Sequence, residues 1–256
     1  ILRLHNVEFE YYHHLANHSF SVFQKIYYRI ESWLLRRYEK KIASLADSVV
    51  TVSVRDADTY RQLSGRPGAF YLPVFTPWNS VVCREGKGTY CLYHGNLSVS
   101  ENEQVALWLI KHIFSTLTMI PLILAGKNPS PVLKKTVQLY SHITLIENPS
   151  QEAMQQLIEE AQIHLLPSFS STGIKLKLLH ALFCGRHCIV NKAMVADTGL
   201  EEACIMAADA TEMKYAIQTF FSQPFSIEAI QFRQALLNNH YNNATNAEQL
   251  IKKIWN

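Results

Sequence analysis

Hydrophobic positions along the chain switch repeatedly between a strand-like and a helix-like period. The opening stretch ILRLHN reads as a strand, and a long helical stretch follows from about Tyr12 to Ala46. SVVTVS, Ser48 to Ser53, is a short apolar strand, and Asp56 suits the N-cap of a helix carrying DADTYRQL. GAFYLPVF predicts a further strand, closed by Pro73 and Pro77. From Thr76 to Gly88, TPWNSVVCREGKG mixes breakers with charge, and a domain boundary is expected there.

The alternation is clearer in the second half. TYCLYHG is a strand, and ENEQVALWLIKHIF is a helix with apolar Val105, Leu109, Ile110 and Ile113 on one side. MIPLILAG, HITLIEN, QIHLLPS and RHCIVN read as strands. Between them SPVLKKTVQLY, SQEAMQQLIEEA and STGIKLKLLHALFCGR read as helices, the second capped by Ser150 with Glu152 in its first turn. Ser226 to Asn256 looks helical. Strands alternating with helices of this length predict βαβ units and a parallel sheet, hence an α/β fold class.

Doubly wound sheets bind ligands beyond the carboxyl ends of their strands. That rule selects His5 and Asn6, His94 to Asn96 with Gly95, Gly126 and Lys127, Glu147 and Asn148, Pro167 to Gly173, and Asn191. The segment after QIHLLPS draws most interest. Ser168 to Thr172 form a small polar loop, Gly173 lets the backbone come close, and a helix N-terminus attracts anions through its unpaired donors and its dipole. Lys175 adds a full charge in the expected first turn. Lys177 lies about 200° further round an ideal helix, so the two are not expected to face one phosphate together. His180 shares a face with Lys177. A plain amphipathic helix with two solvated lysines fits the same local pattern.

Composition narrows the classes. The chain has 256 residues, 48% of them hydrophobic, enough for two modest domains. Its 24 Lys and Arg are interspersed with 21 acids for a net charge of +3, which does not suggest a nucleic-acid surface. The cysteines number 5, an odd count, and sit mostly in apolar runs, as in a reducing compartment. No signal peptide is visible, and no uninterrupted apolar run reaches the ~18 residues of a membrane span. The chain opens on Ile1 inside a strand-like run, so the first domain is expected to be incomplete at its N-terminus.

Other constellations carry less. HHLANHS sets His14 and His18 at a spacing that can bind zinc, but lacks a third ligand. CGRHC, Cys184 to Cys188, straddles a helix end and a strand and reads as core. EGKGT precedes a strand rather than a helix, unlike a phosphate loop. No paired carboxylates stand at a strand end, so a divalent metal is not expected.

LLPSFSSTGIKLKLLHALFCGRHCIVN resembles the signature of family-four glycosyltransferases of GT-B fold. RLHNVEFEYYHHL, ADSVVTVSVRDAD, YHGNLSVSEN and LILAGKNPS fit the corresponding segments in order, so the resemblance covers nearly the whole chain. It implies two Rossmann-like domains: 1–82 as the later part of the acceptor-side domain, 83–225 as the nucleotide-sugar-binding domain, and 226–256 as C-terminal helices returning to the first. It further implies a cytoplasmic enzyme of polysaccharide biosynthesis, peripheral at the inner membrane face. This enzyme would move a hexosyl group from a nucleoside diphosphate sugar to a glycan or lipid-linked acceptor, with retention and without metal or other cofactor. Gly173, flanked by Thr172 and Ile174, would contact the diphosphate through backbone N–H groups, with Lys175 or Lys177 adding charge. Ser168, Gly95 and Asn96 would border the donor, and Glu147 and Asn148 its base. His5 would orient the sugar, with Asn6 and Glu8 close by.

The chain departs from the family pattern at informative places. Two glutamates usual around this helix are replaced by Thr172 and His180, the latter at the ribose position. The basic pair usual after the first donor-domain strand is absent, with Asn96 and Glu101 there instead. These departures leave a second expectation open, a weak or inactive module of the same fold that binds nucleotide or sugar phosphate without turnover.

Overall fold

The computed structural model describes residues 1–19, 21–65, 68–169 and 175–255, with only the backbone of His18. The proposed zinc spacing of His14 and His18 therefore lies in part outside the described side chains. The chain divides into two compact units, one of Ile1–Pro77 with Tyr241–Asn256 and one of Trp78–Ser171 with Lys175–His240.

The first unit begins with β1 (Leu2–Leu4), α1 (Glu8–His18), α2 (Val22–Leu45), β2 (Val49–Thr51), α3 (Val54–Ser64) and β3 (Ala69–Tyr71). Its strands form a parallel sheet in the order β1-β2-β3. The single helix expected from Tyr12 to Ala46 is thus two. Ser19 and Ser21 hold extended backbone at ψ 140° and 128°, and Ser19 Oγ donates to Gln24 Oε1 at 2.9 Å. Short polar side chains that bond locally in this way compete with helical hydrogen bonding.

Helix α3 starts earlier than expected. Ser53, not Asp56, is the cap, because the Asp56 N–H donates to Ser53 Oγ at 3.0 Å. Its far end closes on Gly65 at φ 67°, a left-handed conformation that glycine adopts without strain. Val7, Ala43, Val49, Tyr60 and Ala69 make the core of this unit, with all of β2 buried between its covered faces.

The second unit runs through β4 (Cys91–Asn96), α4 (Ser100–Leu109), β5 (Leu122–Lys127), α5 (Pro131–Val137), β6 (Ile143–Glu147), α6 (Gln151–Glu160) and β7 (Ile163–Leu166). It continues with α7 (Leu176–Cys184), β8 (His187–Val190), α8 (Lys192–Val195), β9 (Ile205–Met206), α9 (Ala210–Phe221) and α10 (Ile227–Tyr241). A last helix, α11 (Asn243–Trp255), belongs to the first unit, where Asn243 exchanges hydrogen bonds with the Thr76 backbone at 3.0 and 2.8 Å.

All strands of the second sheet run parallel in the order β6-β5-β4-β7-β8-β9. Counted from the first strand of this unit, that is the doubly wound order 3-2-1-4-5-6. Helix α4 ends in a π-helical turn over Ile110–Phe114, which keeps Ile110, Ile113 and Phe114 fully buried. These join Tyr93, Leu109, Leu124, Ile163, Ile189 and Ile217 in one core.

The expected boundaries shift. The division falls between Pro77 and Trp78 rather than at 82/83, and α10 stays with the second unit instead of returning with α11. Buried Arg233 holds it there, donating to the carbonyls of Leu182, Gly185 and Arg186 at 3.2, 2.6 and 2.7 Å.

Candidate functional site

In the doubly wound order, connections leave the sheet in opposite directions from β4 and β7, so a crevice opens beyond their carboxyl ends. Gly126 on β5 shapes its floor. A Cβ there would lie 1.9 Å from the Gly95 carbonyl oxygen, so only glycine lets β4 and β5 run this close at their carboxyl ends.

Asn102, early in α4, organises the β4 side. Its Nδ2 donates to the Asn96 carbonyl at 3.0 Å, and Tyr93 Oη donates to the Asn102 carbonyl at 2.9 Å. The Asn102 amide lies against Gly95, 3.4 Å from where a Cβ would stand. With its amino group committed, Asn102 presents Oδ1, which accepts from Lys177 Nζ at 3.3 Å. The same ammonium lies 5.4 Å from the centroid of the Tyr93 ring.

Ser168, beyond β7, provides the other wall. Its N–H donates to Asn191 Oδ1 at 3.0 Å, Asn191 Nδ2 donates back to the Ser168 carbonyl at 2.7 Å, and Ser168 Oγ donates to Glu101 Oε1 at 3.2 Å. Asn191 also caps α8 by accepting the Met194 N–H at 3.2 Å. The strand ends selected from sequence on β4, β7 and β8 are thereby tied into one polar cluster.

Both lysines enter this cluster. Burial lowers the Lys177 ammonium to about 8, with Glu101 opposing the shift and Lys175 adding to it. Lys175 is lowered for the same reason, with Glu101 again opposing. The expectation that the lysines diverge assumed a helix already running through Lys175. The described helix begins at Leu176, and Lys175 sits before it at φ −92°, ψ 53°, so the ideal rotation does not apply. Both charges feel Glu101 and each other.

Thr172, Gly173 and Ile174, expected to cradle the diphosphate, lie outside the described residues. Glu147, at the end of edge strand β6, pairs with Lys134 Nζ at 2.5 Å. Asn148, at φ 49°, accepts the Asn128 N–H on Oδ1 at 2.9 Å and so joins the loops after β5 and β6. His5 belongs to the first unit, exposed just after β1, and the neighbouring Asn6 carbonyl accepts Tyr60 Oη at 3.3 Å.

His180 has close neighbours of its own. Its Nε2 lies 2.7 Å from Gln155 Oε1 on α6, and its ring is 4.6 Å from that of Trp78, centroid to centroid. His94 stands edge-on at 6.1 Å. Burial lowers the His180 pKa, so the ring is held neutral and donates to Gln155. Asn102, Trp78 and Gln155 were not singled out from sequence. Asn102 had a signal, standing in the first turn of the helix after β4. Trp78 had none, since it lies in a breaker-rich connector.

The fold is that of the GT-B glycosyltransferases. A family model described as glycosyl transferases group 1 matches residues 88–223, more than half of the chain, and the chain belongs to that family. It is 29% identical over 191 residues to an uncharacterized 44.6 kDa protein in cps region of Klebsiella pneumoniae, covering 71% of this chain and 48% of that protein. The chain thus spans about half the length of the curated relative it matches.

Among solved structures, TarM of S. aureus superposes with a TM-score of 0.70 at 9% identity, over 87% of this chain and 46% of that one. Anabaena Alr3699/HepE, solved in complex with UDP and glucose, gives 0.67 at 13% identity, over 99% and 70%. A UDP-forming trehalose-phosphate synthase from Burkholderia xenovorans gives 0.60 at 10%, over 87% and 64%. Likeness at these identities establishes the shared fold.

Proposed function

We propose that the protein is a retaining glycosyltransferase using a nucleoside diphosphate sugar as donor and a glycan or lipid-linked molecule as acceptor, in polysaccharide biosynthesis. The observation that carries this reading is the convergence of Lys175 and Lys177 with Ser168, Glu101 and Asn102 at the crevice between β4 and β7. A half-buried ammonium whose proton is held weakly gains most from a diphosphate. The incoming anion offsets the desolvation that lowers its pKa, and the charge then stabilises the leaving group as the glycosidic bond breaks.

In this reading the amides around Gly173 share the diphosphate, Gly95, Asn96 and Ser168 border the donor, and Glu147 and Asn148 flank the base. His5 orients the sugar. No metal ion takes part, the lysines filling its place. The acceptor is met at a membrane surface on the cytoplasmic face, where the protein sits peripherally.

Titration calorimetry with uridine and guanosine diphosphates tests the donor site. Binding unaltered by EDTA is expected, and a loss restored by magnesium would place a metal in the site. Transfer assayed with the corresponding nucleotide sugars tests turnover.

A second reading, binding without turnover, draws on the engagement of His180 with Gln155 and Trp78 and on the closeness of Glu101 to both lysines. A ring so held is a poorer partner for ribose hydroxyls than a carboxylate, and Glu101 competes with phosphate for the lysines. Nucleotide binding with neither transfer nor donor hydrolysis would select it.

A further inference from the structure

Helix α2 is built with its apolar face outward. The side chains turned toward the protein include Ser32, whose Oγ donates to the Phe9 carbonyl at 2.7 Å, and Glu39, which accepts the Glu8 N–H at 2.9 Å. Both are buried, as is Ala43. Large apolar chains instead face solvent: Phe23, Ile26, Tyr27, Ile30, Trp33, Leu34 and Tyr38, with Phe23 87% and Trp33 57% exposed. On an ideal helical wheel they fall within an arc of about 140°, opposite the stripe that runs through Ser32 and Glu39.

Charge follows the same helix. Lys25, Arg29, Arg36, Arg37, Lys40 and Lys41 stand against Glu31 and the buried Glu39, a balance of +6 − 2 = +4, more than the +3 of the entire chain. Arg29, Arg36 and Lys40 line one edge of the apolar arc. Arg37 lies 4.8 Å from the Trp33 ring centroid, a cation over an aromatic within the exposed face. Among the described residues no helix is long and apolar enough to cross a membrane.

We infer that the exposed face of α2 docks on an anionic membrane surface, lying in the plane of the headgroups. Aromatic and aliphatic chains of one arc enter the boundary between headgroups and acyl chains, while the flanking Lys and Arg meet lipid phosphates. The charge complementarity chooses this occupant. The buried centre of a protein–protein interface is enriched in arginine but depleted in lysine, whereas α2 sets Lys40 at the edge of its apolar arc and Lys41 within it. The inference deepens the membrane part of the function proposed above and rests on that reading only for the acceptor's location, since docking needs no turnover.

Vesicle co-sedimentation tests it, with phosphatidylcholine alone and with an equal mixture of phosphatidylcholine and phosphatidylglycerol. The full chain is expected to partition at least about tenfold better onto the anionic vesicles, with the preference lost in high salt. Two exposed double variants, Arg29→Glu/Lys40→Glu and Phe23→Ser/Trp33→Ser, are each expected to lose about tenfold or more. Circular dichroism melts and nucleotide titration should stay those of the parent. Equal binding to both vesicle types, or none, would overturn the inference. So would a dimer in sedimentation that Phe23→Ser/Trp33→Ser dissolves while no vesicle binds, because a second copy would then be the occupant. Vesicle binding with no nucleotide binding would leave α2 docking standing and remove the transferase reading instead.

Discussion

Lys177 donates to Asn102 Oδ1 at 3.3 Å and reaches across from the start of α7 to the first turn of α4. That bond joins the segments after β7 and β4, the strands between which the crevice opens. Because Asn102 is itself held by Asn96 and Tyr93, the ammonium has a fixed place before any ligand arrives.

If Lys177 binds the diphosphate, Lys177→Ala should weaken nucleoside diphosphate binding by about 1.5–3 kcal/mol, the range for hydrogen bonds to charged groups. The pH dependence has a definite sign. In the free protein the ammonium is lost as pH rises through about 8, so affinity should fall over that range. Lys177→Arg should flatten the slope, because guanidinium stays charged. Calorimetry of the parent and both variants, from about pH 7 to about pH 9, reads all of this; a flat parent profile together with unchanged affinity in Lys177→Ala would exclude Lys177 from the anion site.

Stability should fall in acid. His94 is buried with its Nε2 unpaired, and desolvation depresses its pKa from 6.5 to about 3. His164, also buried, is pushed down in the same direction by burial first and by His94 second. The unfolded chain binds these protons below about 6.5 while the folded chain does not, so stability is full above that pH and is lost as pH falls. Each histidine contributes a slope of up to about 1.4 kcal/mol per pH unit. Urea midpoints measured between neutral pH and about pH 5 should shift down, and His94→Gln should reduce the shift.

Gly185 should not tolerate a side chain. It closes α7 at φ −106°, an ordinary backbone angle, but a Cβ would stand 1.9 Å from His164 Nε2. Gly185→Ala must displace a buried ring in a packed core, and we expect a loss of about 1–3 kcal/mol in chemical denaturation. An unchanged midpoint would mean that the ring has room to move.

Arg233 is expected to be among the costliest single positions. Its guanidinium serves the carbonyls at the end of α7, where the helix dipole is negative, and lies 4.5 Å from the Phe225 ring centroid. Arg233→Ala leaves several buried carbonyls unpaired and should cost about 3 kcal/mol or more. Arg233→Lys should recover only part, since an ammonium lacks the planar fork that spans all of them. Denaturant melts of both variants decide this.

The sequence made the second unit legible because its strands are nearly all apolar and several of its helices carry capping residues at their starts. Ser130 and Ser150 cap α5 and α6 by accepting the Leu133 and Ala153 N–H groups, each at 3.1 Å. The first unit was harder to read. A short polar break of Ser19 and Ser21 interrupts a helical period without a glycine or proline to mark it, and β3 ends at Tyr71 although the apolar run continues. Arg233 left only a faint trace, a lone cation in the apolar run of α10, whose importance depends on carbonyls supplied by α7 and the turn after it.

By itself, then, the sequence determined the alternation of strands and helices, the parallel sheet, the family, and which strand ends carry polar residues. These follow from local periodicity and from motifs whose spacing survives in one dimension. Tertiary structure alone decided that Asn102 would aim its carbonyl oxygen at Lys177, that Glu101 would stand near both lysines, and that His180 would settle against Gln155 and Trp78. It also decided which side of α2 faces inward, against the polarity of the helix itself. The physical reason is the same throughout. A side chain's direction, burial and partners come from elements far apart in the chain, and neither period nor propensity encodes which of two helical faces the fold will cover.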